Sequence, residues 1–254
     1  MQGQIYIETI LSIWYYLPNR AKYKNGSLHC MTRRRFALEH IPQTEMKNLL
    51  KKQAILDIVI TPESESWLRL VSYSYNKEKQ CDIFKIDNGG GDHLYALFSK
   101  EGAILKCFDH ESCLSPYLNH NVSVAPVFYA QVPDALQSLL ELEIEQENVT
   151  SCLWQLSGET TWHHASTKLP DLRRQKDAQQ LDDGGEAFLL GYIFADAKDW
   201  YEWAAVYYEL TEEAWDAVEL LYETGELTRS MVVDLNAERD YDTIIDECTV
   251  NGLL

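Results

Sequence analysis

Short cysteine spacings are missing from this 254-residue chain. Its cysteines, Cys30, Cys81, Cys107, Cys113, Cys152 and Cys248, are scattered, so neither a zinc knuckle nor a redox dithiol is written into them. Several sit among apolar neighbours, as in "SCLWQL", where a free thiol acts as a small hydrophobe; this predicts a reducing, cytoplasmic setting. Also missing are a Gly-x-Ser-x-Gly elbow and a His-Glu-x-x-His helix. The run "GGGD" lacks the spacing and the lysine of a phosphate loop, which leaves nucleotide binding without support. There is no internal repeat and no low-complexity tract. The segment "IYIETILSIWYYLP" is too short to span a bilayer, carries Glu8, and lacks a basic flank and a small-residue cleavage site. Met31 opens "MTRRRFALEH", an ordinary cytosolic beginning, so residues 1–30 are expected to be a loosely packed N-terminal extension.

Positive charge is scarce in the second half. The formal net charge is −18, of which residues 1–127 contribute +2 and residues 128–254 contribute −20. Such an acidic half repels phosphate backbones and anionic lipid, which excludes nucleic-acid and membrane-surface partners for it and favours a basic protein. A solvated acidic surface that maintains solubility is the plainer alternative.

With 46% hydrophobic and 24% charged residues, the chain carries enough apolar material for a proper core. Apolar spacing predicts a helix from Thr44 to about Leu56, and "WLRLVSYSY", from Trp67, reads as a half-buried strand. "CDIFKI", "HLYALF" and "AILKCF" are short apolar runs joined by "DNGGGD" and "SKEG", the chemistry of tight turns, and predict a three-stranded antiparallel meander. "VPDALQSLLELEIEQ" reads as a helix and "NVTSCLWQL" as a strand that returns to the same sheet. In the last quarter, "KDWYEWAAVYYEL" and "TEEAWDAVELLYE" place Trp200, Trp203, Tyr207, Trp215, Val218 and Leu221 at core-helix spacing, with Thr211 as an N-terminal cap. The expected fold is α+β: a meander sheet packed by helices, with a mainly helical C-terminal part. The expected organisation is an extension (1–30), a sheet domain (31–162), an exposed loop (163–185) and an acidic helical part on the same core (186–254).

The most patterned stretch is "IDNGGGDHLYALFSKEGAILKCFDHESCLSP", residues 86–116. If Phe98 pairs with Ala103, Asp92 falls opposite Asp109 and His93 opposite Phe108, so the two ends of the stretch meet. That register puts Asp92 and Asp109 side by side on one face and makes His93 and His110 diagonal neighbours on the other, with Glu111 just beyond. Adjacent carboxylates favour a bound cation or a shared proton, and histidines add nitrogen ligands. Asp92, His93, Asp109, His110 and Glu111 are therefore candidate catalytic residues, the first four of them candidate metal ligands, and Ser112 and Ser115 lie near enough to enter a nucleophile scheme. The same residue types also satisfy loose backbone groups at strand ends, so a purely structural reading stands beside the chemical one.

"NGGGDHLYALFSKEGAILKCFDHESCLSPY", with "YEWAAVYYE" and "LTRSMVVDLN", resembles a group of bacterial proteins that pair an Asn-Gly-x-Gly-Asp hairpin with a Phe-Asp-His-Glu-Ser segment and a following Ser-Pro, over about residues 40–240. The group brings no known activity with it. The glycine-rich hairpin in an acidic α+β chain is also similar to SUKH-type immunity proteins, which implies toxin neutralisation. Two functional expectations result. One is a cytoplasmic protein-binding module without a cofactor that uses its acidic surface on a basic protein. The other is a metal-assisted hydrolase that uses a divalent ion at the Asp/His cluster.

Overall fold

The computed structural model describes residues 41–118, 124–142, 145–165 and 183–254. The expected extension, residues 1–30, lies outside them. The protein is α+β. Strands β1 (Val71–Asn76), β2 (Cys81–Asp87), β3 (His93–Phe98), β4 (Gly102–Phe108), β5 (Ser151–Leu156) and β6 (His163–His164) form one antiparallel sheet in sequential order. The three strands expected of the meander are β2, β3 and β4, and "NVTSCLWQL" supplies β5 against β4.

Helix α1 (Gln43–Ile60) extends beyond the expected range at its C-terminal end and lays Met46, Leu50 and Leu56 on the sheet, each burial contributing about 1.5–3 kcal/mol. The same sheet face is covered by α4 (Glu186–Leu190), α5 (Ala197–Tyr207), α6 (Ala214–Thr224), α7 (Arg229–Leu235) and α8 (Tyr241–Asn251), through Trp200, Val218, Leu221, Met231 and Ile244. The opposite face packs on α2 (Ala125–Tyr129) and α3 (Asp134–Leu140), with Leu97, Ile104 and Cys152 against Phe128, Leu136 and Leu139. β4 lies inside the sheet and is buried along its whole length. Gly102, at φ +149°, lets β5 come close: a Cβ there would lie 2.3 Å from the Gln155 carbonyl oxygen.

Several sequence expectations shift. Trp67 does not begin a strand; it is exposed in a 3-10 helix, Glu63–Leu68, that follows Pro62, and the strand starts at Val71. The reason is tertiary, because the Leu70 and Val71 amides are claimed by the Tyr208 hydroxyl (3.2 Å) and the Asp57 carboxylate (2.6 Å). Helix α3 stops at Leu140, and at Glu145 the backbone has φ +41°, which ends any helical continuation. α6 starts at Ala214 rather than at a Thr211 cap; the Ala214 amide donates to the Thr211 carbonyl in a preceding turn. Asp196 and Asp240 cap α5 and α8, accepting from the Asp199 and Thr243 amides at 2.8 and 2.9 Å. Of residues 163–185, His163 and His164 pair with β5, Gly184 and Gly185 are buried, and 166–182 lie outside the described residues.

Candidate functional site

The β3–β4 register pairs Phe98 with Ala103 and His93 with Phe108, so Asp92 and Asp109 emerge beside each other just past the ladder. The hairpin that delivers Asp92 is built by its own side chains. Asp87 Oδ1 accepts from the Gly89 amide (2.9 Å), and Asn88 Oδ1 accepts from the amides of Gly90 (2.8 Å) and Asp92 (3.3 Å). Gly91, at φ +96°, turns the chain into β3. Asn88 Nδ2 then donates to Asp92 Oδ2 at 3.1 Å.

On the β4 side the chain turns immediately after Phe108. The Asp109 amide donates to Thr150 Oγ1 (2.9 Å), Asp109 Oδ1 accepts from the Glu111 amide (2.9 Å), and the Asp109 carbonyl accepts from the Ser112 amide (3.1 Å). This turn swings His110 toward Asp92, whose Oδ1 accepts from the His110 backbone amide at 3.0 Å and meets ring Nδ1 at 2.7 Å. Thr150 Oγ1 also lies 2.7 Å from the Gly184 carbonyl, and the buried Gly185 backbone closes against the Asp109 side chain.

Asp92, Asp109 and His110 each present one potential ligand atom, all within 4.8 Å of one another. The carboxylates are buried and the imidazole is half exposed. His93 does not join them. It lies on the other sheet face between Tyr95 and Phe108, with Nε2 3.1 Å from Glu145 Oε2 at an angle that makes no hydrogen bond. The expected diagonal pairing of His93 with His110 assumed strand alternation through residue 110, whereas the chain leaves the strand at Asp109. Glu111 is exposed and lies outside the group of three.

Burial holds His93 below its ordinary pKa against the opposing pull of Glu145. On the same face Lys106 lies under the Tyr95 and Tyr129 rings, and burial lowers it to about 8. Nucleophilic chemistry finds little support here. Ser112 Oγ accepts from the Leu114 amide and Ser115 Oγ from the Tyr117 amide, as turn hydroxyls do. Burial pushes the Cys81, Cys152 and Cys248 thiols up to about 12, far from the thiolate form.

Sequence reasoning missed Thr150, Gly184 and Gly185 as supports of this site, and missed a neighbouring cluster in which Ser151 Oγ donates to the buried Glu186 carboxylate (2.6 Å) with His164 Nδ1 3.3 Å away. The glycine pair after "LDD" was the one available signal. Thr150 and Glu186 carried none.

A second candidate surface is α6. Glu212, Asp216, Glu219 and Glu223 recur at intervals of four, three and four, all exposed, with the exposed Leu220 among them. Among the described residues none of these carboxylates forms an ion pair. Lys52, beside the C-terminal end of the helix, is turned to the Tyr222 carbonyl at 2.5 Å. Arg229 and Arg239 pair with Asp242 and Glu247.

No protein-family model, curated protein or solved structure matches this chain. No helix among the described residues is long and apolar enough to cross a membrane.

Proposed function

We propose that this protein is a protein-binding module whose acidic helical surface, centred on α6, receives a basic partner. The observation that carries this reading is the exposed carboxylate stripe Glu212, Asp216, Glu219 and Glu223, which forms no ion pair among the described residues. Glu212 and Asp216 lie near the helix N-terminus, where negative charge is favourable. Glu219 and Glu223 are not so placed: they are like charges four residues apart, and Glu223 lies in the last turn, where the helix dipole disfavours a carboxylate. Folding therefore gives no reason for this pair, whereas a partner bearing lysine and arginine does. Leu220 supplies an apolar contact in the middle of the charged stripe. A cytoplasmic location belongs to the same proposal, supported by the free cysteines among the described residues. Its toxin-neutralising version rests on the sequence resemblance alone.

The test compares retention of proteins from extracts of the source cells on immobilised wild-type chain and on a variant with Glu212→Gln, Asp216→Asn, Glu219→Gln and Glu223→Gln. The expected result is one basic protein held by wild type, released at high salt, absent from the variant and forming a stoichiometric complex when purified. Equal retention by the two chains, or indiscriminate retention of many basic proteins, contradicts the proposal.

A further inference from the structure

We infer that Asp92, Asp109 and His110 form a divalent-cation site at the glycine-hairpin end of the sheet. This rests on the hairpin geometry and is independent of the α6 surface. Two carboxylate oxygens and one imidazole nitrogen within 4.8 Å of one another lie close to the span of ligands around a single ion. The mixed donor set belongs to Mn²⁺ or Zn²⁺ more than to Ca²⁺, which prefers oxygen alone.

The placement is not that of loose surface acids. Asp92 and Asp109 are 6% and 3% exposed, and each is fixed through its backbone or its second oxygen by groups that need not move. Asn88 Nδ2 holds Asp92 Oδ2, while Thr150 and the Glu111 amide hold Asp109. These contacts orient ligands from outside the site, as the partners of metal-binding carboxylates do. The half-exposed His110 ring provides the route of entry. Gly91 borders the ring: a Cβ there would lie 3.5 Å from Nδ1, in ordinary van der Waals contact.

Among the described residues the basic side chain paired with Asp92 is His110 itself, through Nδ1 and Oδ1 at 2.7 Å. An ion replaces that contact with two bonds to one centre. The ring then binds through Nδ1 with its proton on Nε2, and a proton held on Nδ1 beforehand moves to Nε2 or leaves to solvent as the ion enters. Three protein ligands leave further positions for water, the open arrangement found where bound metals do chemistry.

The full chain, stripped with chelator, is titrated calorimetrically with MnCl₂ and with ZnCl₂, and Mn²⁺ broadening of amide signals is mapped. The expected result is one ion per chain for at least one metal, broadening centred on residues 92 and 109–111, and affinity lower by about tenfold or more in Asp109→Asn and in His110→Gln. Glu63→Gln, which alters an exposed carboxylate of the 3-10 helix away from the site, leaves the affinity unchanged. Asparagine keeps the oxygen that accepts from Glu111, and His110→Gln changes a half-exposed ring, so thermal unfolding without metal confirms that both variants fold. Failure of both ions to bind at one per chain, or binding that survives both substitutions, or equal loss in Glu63→Gln, overturns the inference.

Discussion

Asp57→Asn raises the stability of the protein above neutral pH and removes most of the fall in stability that the wild type shows between about pH 4 and pH 7. Asp57 lies on α1, fully buried, with Oδ2 accepting from the Val71 amide at 2.6 Å and Oδ1 accepting from the Tyr208 hydroxyl at 2.8 Å. Tyr208 accepts in turn from the Leu70 amide, so one carboxyl joins α1, the end of α5 and the start of β1. The guanidinium of Arg69 is nearby, but its hydrogen bonds go to the Thr61 carbonyl and Glu247. Burial outweighs these donors and raises the Asp57 pKa from 3.8 to about 7.

The sign follows from linkage. A carboxyl whose folded pKa is raised binds its proton more tightly in the native state, so its favourable contribution is complete below pH 3.8 and declines as pH rises through 7. The full decline is at most about 4 kcal/mol, and asparagine, with no charge to bury, escapes it. Its amide oxygen still accepts from Val71, while its NH₂ donates to Tyr208, whose hydroxyl can turn to the Leu68 carbonyl at 3.3 Å. Chemical denaturation of both chains from pH 4 to pH 9 checks this. Parallel stability curves for the two chains would contradict it.

Gly184→Ala unfolds or severely loosens the closure at the hairpin end, with a loss of about 3 kcal/mol or more. Gly184 has φ +72°, and a Cβ there would lie 2.1 Å from the Thr150 carbonyl oxygen and 2.7 Å from its carbon. Both obstacles are backbone, and Thr150 cannot retreat because its amide donates to the Cys107 carbonyl (2.8 Å) and its hydroxyl bonds Gly184 and Asp109. The control is Gly158→Ala. Gly158 also has a positive φ, +86°, but a Cβ there meets nothing within 4 Å, so only the backbone term of about 1 kcal/mol remains. Similar unfolding temperatures for the two alanine variants would show that the close approach of Gly184 to Thr150 contributes nothing.

The contrast between these glycines marks where the sequence was readable. Local chemistry announced the meander: "DNGGGD" and "SKEG" are turns from their residues alone, and alternation in "HLYALF" fixed a register that brings Asp92 to Asp109. The same local logic failed one residue later, because His110 belongs to a turn created by Asp109, Thr150 and Gly185, and two of those three lie far along the chain. Trp67 failed for a similar reason, since the groups that decide where β1 starts, Asp57 and Tyr208, come from two different helices. Periodicity found α1, α5 and α6 but could not show Asp57 as buried, because an aspartate among apolar residues looks like a break in the face until its partners are seen. The acidic bias of the second half was plain in composition. Its arrangement as an exposed stripe on α6, without an ion pair among the described residues, required knowing which side of the helix faces the core.

The proposed function keeps the α6 carboxylates for a partner and not for the fold. It is tested most directly by the unfolding free energy of Glu219→Gln/Glu223→Gln beside wild type at low ionic strength. The double variant is expected to be more stable by roughly 0.5–1 kcal/mol, from relief of like-charge repulsion and of the unfavourable charge in the last helical turn, with the gain shrinking as salt is added. A loss of about 1 kcal/mol or more would contradict it, because the stripe would then be holding the helix in place.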